Sequence, residues 1–162
     1  MSFPVDEIEF LSLSDIGEAD IIALMNNPLV GKQMPLLAGG FSAEDCRAFL
    51  AAKQKLWDEH GFGPWAFCIN GAFAGWGGLQ PQDGDADFAL VLHPDYWGWG
   101  WKIFKKVRER AFGPMQLASI TILLPPSRPN TKAVRRGGFV QDGELVVGGA
   151  RFLRFRLKNP AL

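Results

Sequence analysis

Cysteine is scarce in this chain, long apolar runs are missing, and the formal net charge is zero. Each shortage narrows the field. Cys46 and Cys68 are the only two thiols. They stand alone among apolar neighbours and lack metal-ligand spacing, so buried, reduced side chains are expected rather than a bridge. No apolar run approaches the roughly 20 residues that span a bilayer, so no membrane partner is expected. Asp6, Glu7 and Glu9 interrupt the N-terminal stretch in which a signal peptide would need its apolar core. The expected location is cytoplasmic. Repeats, linkers and low-complexity tracts are also lacking.

What is present is a chain of 162 residues, 48% hydrophobic, enough for one globular domain over residues 1–162. Its zero net charge hides a division. Residues 1–100 hold 14 acidic and four basic residues, and residues 101–162 hold 13 basic and three acidic ones. Two readings follow: the halves attract each other across one domain, or an anion-binding wall faces an acidic wall across a site. Zero net charge makes nucleic acid an unlikely main partner, an argument that the basic C-terminal half weakens.

The pattern of residues predicts alternating elements. Glu7–Leu13 reads as a strand, and Ser14 as the cap of a helix ending near Asn27-Pro28. The stretch from Pro28 to Gly40 reads as loop. Ser42-Ala-Glu-Asp45 resembles a capping box opening a second helix, closed by Gly61 and Gly63. Pro64–Ile69 and Ala72–Leu79 flank Asn70-Gly71, a type I′ hairpin signal. Asp85–Leu92 is a third strand of this block. Leu117–Leu124 is an apolar, β-branched run suited to a buried strand, and its helical connection to the preceding strand requires the two to be parallel. A short helix is expected over Asn130–Arg136, then a hairpin of Phe139–Val147 and Ala150–Leu157.

Between the strand Phe88–Leu92 and the basic amphipathic segment from Lys102 to Phe112 lies Tyr96-Trp97-Gly98-Trp99-Gly100-Trp101. Strand, glycine loop and helix start place unpaired N–H groups and a positive helix end at one point, which suits a phosphate. Gly98 and Gly100 are expected to allow positive φ and close backbone approach. The tryptophans admit several readings. Trp101 is expected to pack inward at the helix start, Trp97 or Trp99 to cover a nucleoside, and an extended stripe of all three would suit a carbohydrate. Lys102, Lys105, Lys106 and Arg108 either add attraction to the loop or form an ordinary solvated face.

This order of elements, with its glycine loop after the fourth strand, resembles the GNAT superfamily of acyl-coenzyme A transferases from about Glu9 to Leu157. Asn27-Pro28-Leu29-Val30, Gly63-Pro64-Trp65-Ala66-Phe67, Gly75-Trp-Gly-Gly-Leu79 and Gly138-Phe139 look most like the ribosomal-protein alanine N-acetyltransferase branch. The resemblance implies an α/β fold: a mixed, mostly antiparallel seven-stranded sheet, its fourth and fifth strands parallel and splayed into a V-shaped cleft, with about four flanking helices. Against the family's diphosphate loop, Trp97 stands at a basic position and Lys102 at a small one. Val134 replaces a tyrosine often used as an acid.

The resemblance implies an N-acyltransferase moving acetyl from acetyl-CoA to a primary amine by direct attack, with no metal. The acceptor would be a small molecule or a peptide N-terminus, and a homodimer is conceivable. A catalytically inactive CoA-binding module of the same fold is the alternative. The coenzyme would meet Trp97, Gly98, Trp99, Gly100, Trp101 and Lys102, with Asn130 beyond the fifth strand. Backbone of Leu90, Val91 and Leu92 would pair with the pantetheine amides, and amides near Leu90 and Val91 would stabilise an oxyanion. Asp87 stands where the family often keeps a strand glutamate and is the first candidate base. Asp85 is the second, both being alternatively turn residues. Tyr96, the only tyrosine, is the candidate acid. His93, before Pro94, reads as structural.

Overall fold

Asn70 and Gly71 have φ of 50° and 86°, the paired positive values of a type I′ turn. They join β2 (Pro64–Ile69) to β3 (Ala72–Gln82). The computed structural model describes residues 7–34, 39–127 and 131–162. Ser42 and Asp45 form the expected capping box, Asp45 N–H donating to Ser42 Oγ (3.1 Å) and Ser42 N–H to Asp45 Oδ2 (2.9 Å). The helix it opens runs Ala43–His60 and stops at Gly61, whose φ of 75° is left-handed.

The N-terminal segment departs from expectation. β1 is only Ile8–Leu11, because Leu13–Asp15 turns into a 3-10 helix. Ser14 caps nothing, its hydroxyl lying 3.0 Å from that of Ser12, and α1 (Glu18–Met25) starts instead after Gly17. The stretch expected as loop holds α2 (Pro28–Gln33). Asn27 Oδ1 accepts the Leu29 N–H at 2.9 Å, and Pro28 sits in the first turn, where an N–H would have no intrahelical partner. Ala43–His60 is therefore α3. Then follow β4 (Asp85–Leu92), α4 (Gly100–Phe112), β5 (Ser119–Leu124), α5 (Lys132–Arg136), β6 (Val140–Val147) and β7 (Ala150–Lys158). No helix among the described residues is long and apolar enough to cross a membrane.

The seven strands form one sheet in the order β1-β2-β3-β4-β5-β7-β6. Every pairing is antiparallel except β4 with β5, which is parallel and pairs in register at one position, Asp87 opposite Thr121. Beyond that point the two strands part. One apolar cluster gathers Ile103, Phe104 and Val107 of α4 with Phe88 and Leu90 of β4, Ile120 and Phe155. A second joins Ile21, Cys46 and Trp76 with Val91. Both cysteines are buried and free.

Close packing of β3 on β4 depends on glycine. A Cβ on Gly77 (φ 139°) would run into Ala89 O and lie 2.9 Å from Leu90 Cα. Gly77→Ala is expected to lower stability by at least about 2 kcal/mol in urea unfolding, because neither strand backbone can yield without losing its ladder.

Candidate active site

The phase of the β3–β4 ladder decides which backbone groups face the gap. His93 N–H donates to Ala74 O at 2.8 Å, and the register places Val91 opposite Trp76 and Ala89 opposite Gly78. Bonded positions recur every second residue, so Val91 and Ala89 bond to β3, while N–H and C=O of Phe88, Leu90 and Leu92 turn to the other edge. That edge opens on a cleft of about 710 Å³ between the parted strands. Leu90 and Leu92 line it from β4, Ile122 and Leu124 from β5, and Gln33 from α2. Val91, expected here, is not among the lining residues and packs on the opposite side of the sheet.

The segment after β4 is a 3-10 helix, Pro94–Trp99, rather than an irregular loop. His93 has the structural role expected of it: its Nδ1 accepts the Asp95 N–H at 3.1 Å. Neither Gly98 nor Gly100 has a positive φ, and Gly100 is helical at −53°. Their use is therefore space. A Cβ at Gly98 would meet no protein atom within 4 Å, and one at Gly100 only Leu90 Cδ1 at 4.0 Å. Both glycines line the cleft, and no side chain caps the start of α4. Its first N–H groups lie at the mouth with the positive end of the helix dipole.

Three tryptophans surround this point in different ways. Trp97 donates its indole N–H to Leu92 O at 2.9 Å, occupying the last open carbonyl of the β4 edge. Trp99 packs on the core, with Lys102 Nζ 4.5 Å from its ring centroid. Trp101 does not pack inward as expected. It is 38% exposed, edge-on to Phe104 and over Gly137, because Ile103, Phe104, Val107 and Ala111 define the inward face of α4. Trp97 and Trp101 both line the cleft. Lys105 and Lys106 are exposed, and Arg108 lies against Phe104.

Asp87 sits where the two strands part. Phe88 and Leu90 point toward α4, so alternation turns Asp85 and Asp87 to the opposite face of the sheet. Thr121 Oγ1 donates to Asp87 Oδ1 at 2.8 Å. Desolvation pushes the Asp87 carboxyl up to about 7; the Thr121 hydrogen bond opposes this and the nearby charge of Asp85 adds to it. Asp85 itself is engaged in two bonds to Arg156, at 2.8 and 3.0 Å. Tyr96 lies outside the cleft lining and packs on the core with its ring centroid 6.3 Å from that of His93. Asn130 lies outside the described residues.

A family model described as acetyltransferase (GNAT) domain matches residues 9–136. The chain belongs to the GNAT acetyltransferase family. No curated protein matches it in sequence. Solved structures share its fold at low identity. A Bordetella pertussis protein described as a GNAT-family acetyltransferase superposes with a TM-score of 0.73 at 16% identity, covering 95% of this chain and 97% of its own. Spermidine N-acetyltransferase from Vibrio cholerae, solved with CoA and spermine, gives 0.66 at 19% identity, with 95% of each chain covered. An aminoglycoside acetyltransferase solved with coenzyme A gives 0.67 at 16%, covering 97% and 96%.

Acetyl-CoA is the acyl donor of GNAT acetyltransferases, and the residues of this GNAT chain fit it. The cleft offers an open strand edge at Leu90 for amide groups, the start of α4 with no side-chain cap for a diphosphate, and room left by two missing side chains. None of the described residues lining it is ionisable, so any charge on a ligand there meets backbone dipoles first.

Reading the sequence alone missed Thr121, Gln33 and Arg156. Thr121 carried a signal: it is the one hydroxyl within the apolar run Ile120–Leu124, and a buried polar group requires a partner. Gln33 was hidden because α2 itself was unexpected.

Proposed function

We propose that this GNAT domain transfers acetyl from acetyl-CoA to a primary amine by direct attack, with Asp87 receiving the amine's proton. One observation carries the reading: a partly buried carboxyl, held by Thr121 and poised near neutral pH, stands at the one position where β4 and β5 pair. The donor cleft opens from the α4 side of the sheet, Asp87 faces the other side, and the gap between the strands connects them. The thioester supplies an acyl carbon already activated toward an amine, so the protein's task is alignment and proton removal.

In this reading the N–H groups at the start of α4 hold the diphosphate, and Gly98 and Gly100 let it approach. Leu90 N–H and C=O pair with the pantetheine arm as an added strand would. Trp97 and Trp101 supply flat apolar walls on either side of the glycines, where a basic residue is missing. Gln33 belongs to the acceptor side of the mouth.

The finer assignment, to the neighbourhood of the ribosomal-protein alanine N-acetyltransferases, rests on Gly63–Phe67 and Gly75–Leu79. It makes alanine-starting peptides the first acceptors to try. Polyamines and amino sugars come next, given the names of the spermidine and aminoglycoside enzymes that share the fold. The test is a panel of these amines with acetyl-CoA, read as free thiol. Release that depends on one class of amine, with acetylated amine formed in equal amount, is expected. Thermal stabilisation by acetyl-CoA without amine-dependent release across the panel would overturn the proposal.

A further inference from the structure

We propose that Arg156 is a positioning residue for the reaction: by pairing with Asp85 it keeps a second negative charge from acting on Asp87, and so sets the pH at which Asp87 works. The inference rests on the reading of Asp87 as the base.

The geometry is that of one sheet face. Asp85 and Asp87 are two residues apart on β4 and point the same way. Across from Asp87, β5 offers Thr121, and Thr121 is in register with Arg156 of β7. Arg156 holds Asp85 through both terminal nitrogens, Nη1 to Oδ1 at 2.8 Å and Nη2 to Oδ2 at 3.0 Å. Its position is itself fixed: Nε donates to Asp142 Oδ2 at 2.7 Å and Nη1 to Ser119 Oγ at 2.7 Å. Both partners are largely enclosed, at 20% and 22% exposure, so solvent screens them weakly. A planar guanidinium with two parallel bonds fixes orientation as well as charge.

The other groups around Asp87 leave this pair as the adjustable element. On β3, Gln80 stands opposite Asp87 and is uncharged, its Oε1 accepting from Lys53 Nζ of α3 at 2.6 Å. From β7, Arg154 reaches Asp85 at 3.9 Å and Asp142 at 3.6 Å. Lys158 lies opposite Ser119, further along the strand. Asp142 of β6 is shared by the two arginines. Of the charged groups among the described residues, Asp85 is the one whose charge raises Asp87, even while paired.

Removing Arg156 exposes Asp87 to a fuller charge two residues away, and a carboxylate at that spacing is expected to move a neighbour's titration by about one pH unit. The experiment is the pH dependence of kcat with saturating acetyl-CoA and amine. In Arg156→Met the midpoint should rise by about one pH unit, and in Asp85→Asn/Arg156→Met it should return to the wild-type value or below. Arg156→Lys, which keeps the charge and loses the fork, should stay closer to wild type. Should Arg156→Met fail to fold, Asp85→Asn alone reads the same coupling, because it leaves no buried carboxylate unpaired. Its midpoint should fall.

A uniformly lower kcat with an unmoved midpoint in Arg156→Met, or an unmoved midpoint in Asp85→Asn, would overturn this inference while Asp87→Asn remained inactive. Retained activity in Asp87→Asn would overturn the assignment of the base, and this inference with it.

Discussion

Asp87→Asn is expected to lower kcat by about a thousandfold, the usual range for loss of a positioned base being about a hundredfold to ten-thousandfold. The substitution is close to isosteric, and Asn Oδ1 still accepts the Thr121 hydroxyl, so the strand junction keeps its geometry. The same variant is expected to be more stable than the wild type at alkaline pH. Desolvation raises the folded carboxyl above its unfolded value of 3.8, to about 7, so the folded state binds the extra proton between those limits. Stability from this group is therefore present in acid and lost as pH rises through the window. At about 1.36 kcal/mol per pH unit the ionised carboxylate costs at most about 4 kcal/mol by pH 8. Thermal unfolding of both proteins at pH 5 and pH 8 checks this. Asp87→Asn should gain more at pH 8 than at pH 5, and an equal gain would mean that Asp87 is not desolvated. A residue whose removal stabilises the fold and abolishes turnover is kept for its chemistry.

Gly100→Val is expected to weaken coenzyme binding at least tenfold, to be read by calorimetry with CoA, and to leave folding stability within about 1 kcal/mol. The contrast follows from what the glycine does here. Its φ is ordinary, and an added Cβ touches only Leu90 Cδ1 at 4.0 Å, so the protein has no structural need for it. A branched side chain would instead stand in the cleft before the first N–H groups of α4. Hydrogen bonds to a charged group contribute about 1.5–3 kcal/mol each, and losing one already gives about a tenfold loss. Unchanged affinity would remove the start of α4 from the binding site. The pair of predictions separates binding from chemistry: Gly100→Val acts on coenzyme affinity and Asp87→Asn on kcat.

How much of this was legible in the sequence depended on the range of the interactions. The capping box at Ser42 and the turn at Asn70-Gly71 are contained in three or four residues, and both formed as read. The parallel pairing of β4 with β5 followed from the helix between them, whereas the cleft was implied only by the family resemblance. α2 was obscured because Pro28 signals a break in most contexts; here Asn27 caps the helix and the proline occupies its first turn. Of the two properties expected of the loop glycines, positive φ is absent and open space beside the backbone is present. The polar network was the least readable part. Thr121 and Asp87 are separated by 34 residues and Asp85 and Arg156 by 71, and their meeting depends on strand register, which local pattern does not carry. The division of charge between the halves found its contact there, since Asp85 pairs with Arg154 and Arg156.

The central claim is that a carboxyl titrating near neutrality, at the junction of β4 and β5, takes the proton from an amine. The measurement that meets it most directly is kcat for amine-dependent thiol release, followed from pH 5 to pH 9 with both substrates saturating, so that titration of the free amine does not enter. The account predicts a rise through a single midpoint within that range and no such limb in the residual activity of Asp87→Asn. A flat profile, or the same limb persisting in Asp87→Asn, would contradict it.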